Sequence, residues 1–149
     1  MRCVYCYQED TKVMETRESG TGLRRRRECP TCGKRFTTYE RVEVQPLRVI
    51  KKDGSKEYFE RDKLLHGFIL ACEKRPVTEE QIEEAVDDII SNIRREGLTE
   101  VNSKKIGEMA MRHLRKLDKV AYIRFASVYK QFKTVKGFER EIKILTGGS

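Results

Sequence analysis

Four of the five cysteines in this 149-residue chain fall into two C-x-x-C pairs, Cys3 with Cys6 and Cys29 with Cys32. A C-x-x-C turn presents two sulfurs from one tight knuckle, so two knuckles complete a tetrahedral thiolate shell around Zn2+ and leave no position open. A closed shell of this kind is structural, not catalytic. Thioredoxin-like exchange would need one such pair in a βαβ setting, which the flanking sequence lacks. The fifth cysteine, Cys72, sits in an apolar helical run and reads as inert core.

Arginines crowd the same segment. Arg24, Arg25, Arg26 and Arg27 run directly up to the second pair, Lys34 and Arg35 follow it, and Lys12 and Arg17 lie on the preceding stretch. Guanidinium groups bind phosphates bidentately and read guanine in the major groove. In an extended strand alternate side chains face opposite sides, so Arg24 and Arg26 share one face and Arg25 and Arg27 the other. With a formal net charge of +8, double-stranded DNA is the expected partner of these eight basic residues. Phe36 and Tyr39 read as core and not as base-stacking groups. An alternative makes the segment a protein-interaction module whose arginines meet an acidic surface.

These groups need elements to hold them. Residues 1–45 are polar, rich in turns and poor in aliphatic side chains, so the metal must supply stability that apolar burial cannot. Short strands are expected at Lys12 to Arg17, Leu23 to Arg27 and Arg35 to Glu40, with Glu18-Ser19-Gly20-Thr21-Gly22 as a turn. This is the layout of a zinc ribbon. Gln45-Pro46 marks a boundary, because apolar content rises immediately after it. Next come two strand-like runs flanking Asp53-Gly54, a hairpin signal. Apolar residues then recur at helical spacing from Arg61 to Arg75. A second helix opens on the capping box Thr78/Gln81 and carries Ile82, Ala85, Val86, Ile89, Ile90 and Ile93 to near Gly97. Ser103 and Asp118 are expected to cap a third and a fourth helix. The fold class is therefore α+β: a small β ribbon over 1–45, a mainly helical domain with an N-terminal hairpin over 46–137, and a C-terminal tail over 138–149, read as fraying or as a contact arm. Neither a leader-like apolar run after Met1 nor a membrane-length apolar stretch is present, so the expected location is the cytoplasm, with no membrane partner.

Taken together, Met1-Arg2-Cys3-x-x-Cys6, Arg24-Arg25-Arg26-Arg27-Glu28-Cys29-Pro30-x-Cys32-Gly33 and Arg35-Phe36-Thr37-Thr38-Tyr39-Glu40-Arg41 resemble the NrdR repressors of bacterial ribonucleotide reductase genes. Val49-Ile50-Lys51-Lys52-Asp53-Gly54 and Phe59-x3-Lys63 resemble the opening of an ATP cone, the regulatory domain those repressors share with the reductases. The resemblance runs from Met1 to about Lys136. It implies a nucleotide-sensing repressor that binds repeated operator boxes upstream of ribonucleotide reductase genes. It further implies one structural Zn2+, ATP and dATP as regulatory ligands, with Mg2+ allowed as a companion ion, and a homo-oligomer formed through the cone whose assembly controls DNA binding. The nucleotide-binding residues so implied are Val49 and Ile50 against the adenine, Lys51, Lys52 and Lys63 on phosphates, and Asp53-Gly54 as a turn that lets backbone approach the ligand. Glu57, His66, Tyr122 and Tyr129 are further candidates for ribose or base. Without the resemblance these lysines read as surface charge, because no P-loop is present. An enzyme is not expected: the chain has no Walker motif, acidic metal triad or radical-chemistry cysteine pair. Three positions depart from the family pattern: Val4 where proline is usual, Tyr7 where glycine is usual, and Lys52 where arginine is common.

Overall fold

A computed structural model describes residues 1–20 and 22–147. Thr21, within the first expected turn, and Gly148 and Ser149 of the expected tail lie outside the described residues. The chain divides into two compact units, Met1–Gln45 and Pro46–Ser149.

The first unit is an antiparallel sheet in the order β1-β2-β3, formed by β1 (Lys12–Ser19), β2 (Gly22–Glu28) and β3 (Arg35–Arg41). Its only buried side chains among the described residues are those of Cys3 and Cys29. No apolar core holds the sheet, so the knuckles must. The two are built alike. The Tyr7 N–H donates to the Cys3 carbonyl at 3.0 Å and the Gly33 N–H to the Cys29 carbonyl at 2.8 Å. Each donor lies in the left-handed region, at φ 61° for Tyr7 and 69° for Gly33. At Gly22 the close approach of β3 demands glycine, since a Cβ there would lie 2.2 Å from the Glu40 carbonyl oxygen.

In the second unit β4 (Arg48–Ile50) lies between β5 (Lys56–Tyr58), to which it is antiparallel, and β6 (Glu100–Asn102), to which it is parallel. Five helices among the described residues belong to the same unit: α1 (Arg61–Cys72), α2 (Glu79–Arg95), α3 (Ser103–Leu117), α4 (Lys119–Tyr129) and α5 (Val135–Thr146). The apolar stripe of α2 faces inward, and Val86, Ile89 and Ile93 are fully buried with Phe68 of α1 and Leu114 of α3. The Thr78/Gln81 capping box forms in both directions, and Asp118 caps α4 by accepting from the Ala121 N–H at 2.8 Å.

Several expectations need correction here. α3 begins at Ser103, but its N-cap is Asn102, and no side chain caps it. Strand β6 was not expected: three residues with one buried side chain, Val101, carry no readable period, and its pairing with β4 spans some fifty residues of chain. The segment 138–149 is not a loose tail, because α5 covers it as far as Thr146. Thr134 caps this helix, and Glu141 and Leu145 are its buried positions. A carboxylate at a buried position, with Ile142 and Ile144 left exposed, disguises the helical period.

Candidate metal centre, basic sheet face and nucleotide cleft

Zn–S bonds of about 2.3 Å in a tetrahedron place sulfurs about 3.8 Å apart. The Cys3 and Cys32 sulfurs are 3.7 Å apart, those of Cys6 and Cys29 are 3.6 Å apart, and all four lie within 4.8 Å of one another. Distances and donor set both fit zinc. Backbone N–H groups of Cys32 and Thr31 hold the Cys29 thiol down to about 6 against the effect of burial. The Tyr5 N–H lies 3.4 Å from the Cys3 sulfur. Such N–H groups orient thiolates and stabilise them, as outer partners do around metal ligands.

Strand register places the basic residues. Directly opposed side chains in an antiparallel sheet share a face. Arg24 stands between Arg17 and Tyr39, Arg26 between Glu15 and Thr37, and Glu28 between Lys12 and Arg35, while Gly22 brings Arg41 to the same face. That face thus carries Lys12, Arg17, Arg24, Arg26, Arg35 and Arg41 against two carboxylates. Glu15 pairs with Arg17 and Glu28 with Arg35, so Arg24, Arg26 and Arg41 make no ion pair among the described residues. The opposite face is nearly neutral. There Arg25 pairs with Glu40 at 3.2 Å and the Arg27 Nε donates to the Thr38 hydroxyl at 3.0 Å. Lys34 belongs to neither face, since its ammonium lies 4.9 Å from the Tyr5 ring centre. Arg41 was missed as a basic contributor, although it continues the i, i+2 alternation of β3 from Arg35. Tyr39, read as core, is 59% exposed beside Arg24, because a ribbon this thin has no interior to receive it. Phe36 is half-buried and meets Tyr5 edge to face.

In the second unit a cleft of about 580 Å³ opens between the β4–β5 turn, α1, α3 and the end of α4. It brings together Lys51, Lys52, Asp53 and Tyr129. Asp53 shapes the turn by accepting from the Ser55 N–H and hydroxyl, and Gly54 takes φ 84°. Ser103 lies at the rim, where the uncapped first turn of α3 offers backbone N–H groups suited to phosphate. Glu57 sits between two cations, 2.9 Å from the Lys51 ammonium and 3.6 Å from that of Lys63, and Lys63 also reaches Glu60 at 3.0 Å. The Lys51 hydrogen bond holds the Glu57 carboxyl below its ordinary range. Lys63 and Glu57 thus adjoin the turn without lining the cleft.

Four nucleotide candidates fall elsewhere. Val49 is 8% exposed and belongs to the core, because β4 is the central strand; Ile50 is half-buried beside it. The apolar wall of the cleft comes instead from Leu64, Ile106, Phe125 and Val128. His66 is exposed on α1 and does not line the cleft. Tyr122 is buried and donates to Glu141 at 2.5 Å, facing a different hollow. Tyr129 is held more firmly than its sequence position suggests. Its ring stacks on Phe125 at 5.8 Å, its hydroxyl donates to the Lys104 carbonyl at 2.8 Å, and the Lys52 ammonium lies 5.8 Å from its centre. A Cβ at Gly107 would come within 2.0 Å of that ring. The Gly107 requirement was legible only as an odd glycine within a helical pattern.

Two family models match the chain. One describes the N-terminal domain of NrdR-like transcriptional repressors and covers residues 1–40; the other describes the ATP cone domain and covers 47–135. A protein of Thermotoga neapolitana named transcriptional repressor NrdR is 56% identical over 97% of this chain and 94% of its own. A Clostridium botulinum (strain Loch Maree) protein of the same name is 50% identical over 97% of both chains. No helix among the described residues is long and apolar enough to cross a membrane. With both domains matched in order and relatives aligned over nearly the full length, the chain belongs to the NrdR family, a zinc ribbon joined to an ATP cone.

Proposed function

We propose that this chain is a nucleotide-sensing transcriptional repressor that binds repeated operator boxes upstream of ribonucleotide reductase genes. The observation that supports it best is the segregation of charge on the ribbon. One sheet face presents Arg24, Arg26 and Arg41 unpaired beside an exposed Tyr39, and the other is nearly neutral. Unpaired guanidiniums on a rigid strand suit phosphate and guanine edges, and a tyrosine beside them offers a flat apolar surface to sugar or base. Zinc, once bound, supplies no chemistry and fixes the strands that carry these groups. A protein-binding ribbon would need no such flat face with six basic residues against two carboxylates.

In this reading ATP and dATP occupy the hairpin cleft. Lys51, Lys52 and the first turn of α3 receive phosphates, the apolar wall receives the base, and Glu57 and Lys63 stand ready to exchange their mutual ion pair for ligand contacts. The two nucleotides favour different packings of the cones, so occupancy sets oligomeric state, and oligomeric state sets which ribbons can reach adjacent repeats. Operator footprinting of the full chain loaded with ATP and with dATP, alongside mass measurement, tests this. Protection that differs between loadings in step with assembly is expected. Equal protection by every loading, or none on any paired-repeat DNA, would overturn it.

A further inference from the structure

On α3, Arg112 and Arg115 lie one helical turn apart and line the same hollow, about 610 Å³ in volume, between α3 and α4. Like charges at this spacing repel, and neither guanidinium makes an ion pair among the described residues. Lys104 and Lys130 stand on the rim, Tyr122 and Tyr129 form the wall, and Met111 supplies an apolar floor. Glu108 is the one carboxylate lining the hollow, and it lies 4.0 Å from Lys104. Glu141, 7% exposed, does not line the hollow but meets two residues that do. It accepts from the Tyr122 hydroxyl at 2.5 Å and from the Lys130 ammonium at 2.7 Å. Lys130 is thereby fixed in place, Arg115 lies within electrostatic reach of the same carboxylate without pairing with it, and both guanidiniums line a concave surface.

We infer that this hollow is a second anion site, separate from the hairpin cleft, that takes a small oligophosphate through Arg112 and Arg115, with Lys104 and Lys130 at its rim. Paired guanidiniums match the geometry of phosphate oxygens, and the fixed Lys130 adds a point charge. The hollow is concave where the ribbon face is flat, which favours a compact anion over a DNA backbone. This inference does not depend on what the ribbon binds.

Sodium tripolyphosphate is the probe, titrated calorimetrically into the full-length, zinc-loaded protein without nucleotide or DNA. The expected result is two classes of site. Arg112→Ala/Arg115→Ala should weaken one class at least tenfold while ATP affinity stays within twofold, and Lys51→Ala/Lys52→Ala should remove the other. Arg115→Glu, a single exposed change, should give the same selective loss if the double variant is unstable. Unchanged tripolyphosphate binding in the arginine variants overturns the inference. So does a parallel loss of ATP and tripolyphosphate affinity, which would put the anion in the hairpin cleft. Loss of operator binding with tripolyphosphate binding intact would assign these arginines to DNA and also overturn it.

Discussion

Tyr7 is the residue where local geometry and residue type disagree most plainly. Its φ of 61° matches that of Gly33 in the second knuckle, and its side chain is 74% exposed. A non-glycine residue there costs roughly 1 kcal/mol, with no contact evident that would offset it. Tyr7→Gly should therefore stabilise the ribbon by about that amount, read as slower zinc loss to a chelator competitor and a higher melting temperature. A lower melting temperature would mean that the tyrosine ring makes a contact worth more than the strain. Gly107 is the opposite case. Gly107→Ala should push the Tyr129 ring off α3, destabilise the cone by roughly 1–3 kcal/mol as other overpacked sites do, and weaken nucleotide binding severalfold by calorimetry. At Arg26, exposed and unpaired on the basic face, replacement by alanine should lower the salt slope of operator binding by about one unit if it contacts a phosphate. An unchanged slope and affinity would remove it from the interface.

Among the elements, α4 is tied to the end of α1 by charged groups. Its N-cap Asp118 accepts from the Ala121 N–H and also receives the Arg75 guanidinium through three hydrogen bonds of 2.9–3.1 Å. Arg124 on the same helix returns the contact by donating to the Glu73 carbonyl, so α1 and α4 are clamped at one end. The Arg75 guanidinium, and after it the Ala121 N–H, holds the Asp118 carboxyl below its ordinary value. A depressed carboxylate stabilises the fold above the unfolded value near pH 3.9, and that contribution disappears as the pH falls through the folded value. Asp118→Ala should cost about 2–4 kcal/mol at pH 7, combining a lost cap with a stranded guanidinium. The deficit should shrink as wild type and variant are compared towards pH 3 in urea melts. α5 relies on a similar contact, its buried Glu141 meeting Tyr122 and Lys130.

Across the whole molecule, the two units rest on different physics. The second has an apolar core that includes Phe68, Ile89, Ile93 and Leu114, all fully buried, and the first has a thiolate cluster in place of a core. Zinc removal should unfold residues 1–45 while the cone persists, because structural zinc supplies folding free energy of about 10 kcal/mol or more to such a module. Chelation followed by circular dichroism and a thermal melt should show helical signal and the cone transition retained, with ribbon amides lost from protection in hydrogen exchange. Zinc uptake at pH 7 should release protons as thiols become thiolates. Cooperative loss of both units on chelation would show that the ribbon's fold is tied to that of the cone.

Features that depend on residue type and spacing along a short stretch of chain are legible in the order of residues. Two C-x-x-C pairs dictate four sulfurs for one metal, period-2 alternation splits the arginine run between two faces, and the stripe with its capping box dictates α2. These are local, and their physics is complete within a few residues. Tertiary structure decided what depends on residues far apart in the chain. It put Val101 beside Val49, buried Val49, one of the two residues expected against the adenine, and drew the cleft's apolar wall from α1, α3 and α4. It also turned an acidic position of the expected tail into the buried anchor of α5. Register alone showed that Tyr39 and Arg41 join Arg24 and Arg26 on one face. For the metal centre, then, the order of residues was enough. For the basic face and the two clefts, only the folded chain brings their parts within reach of one another.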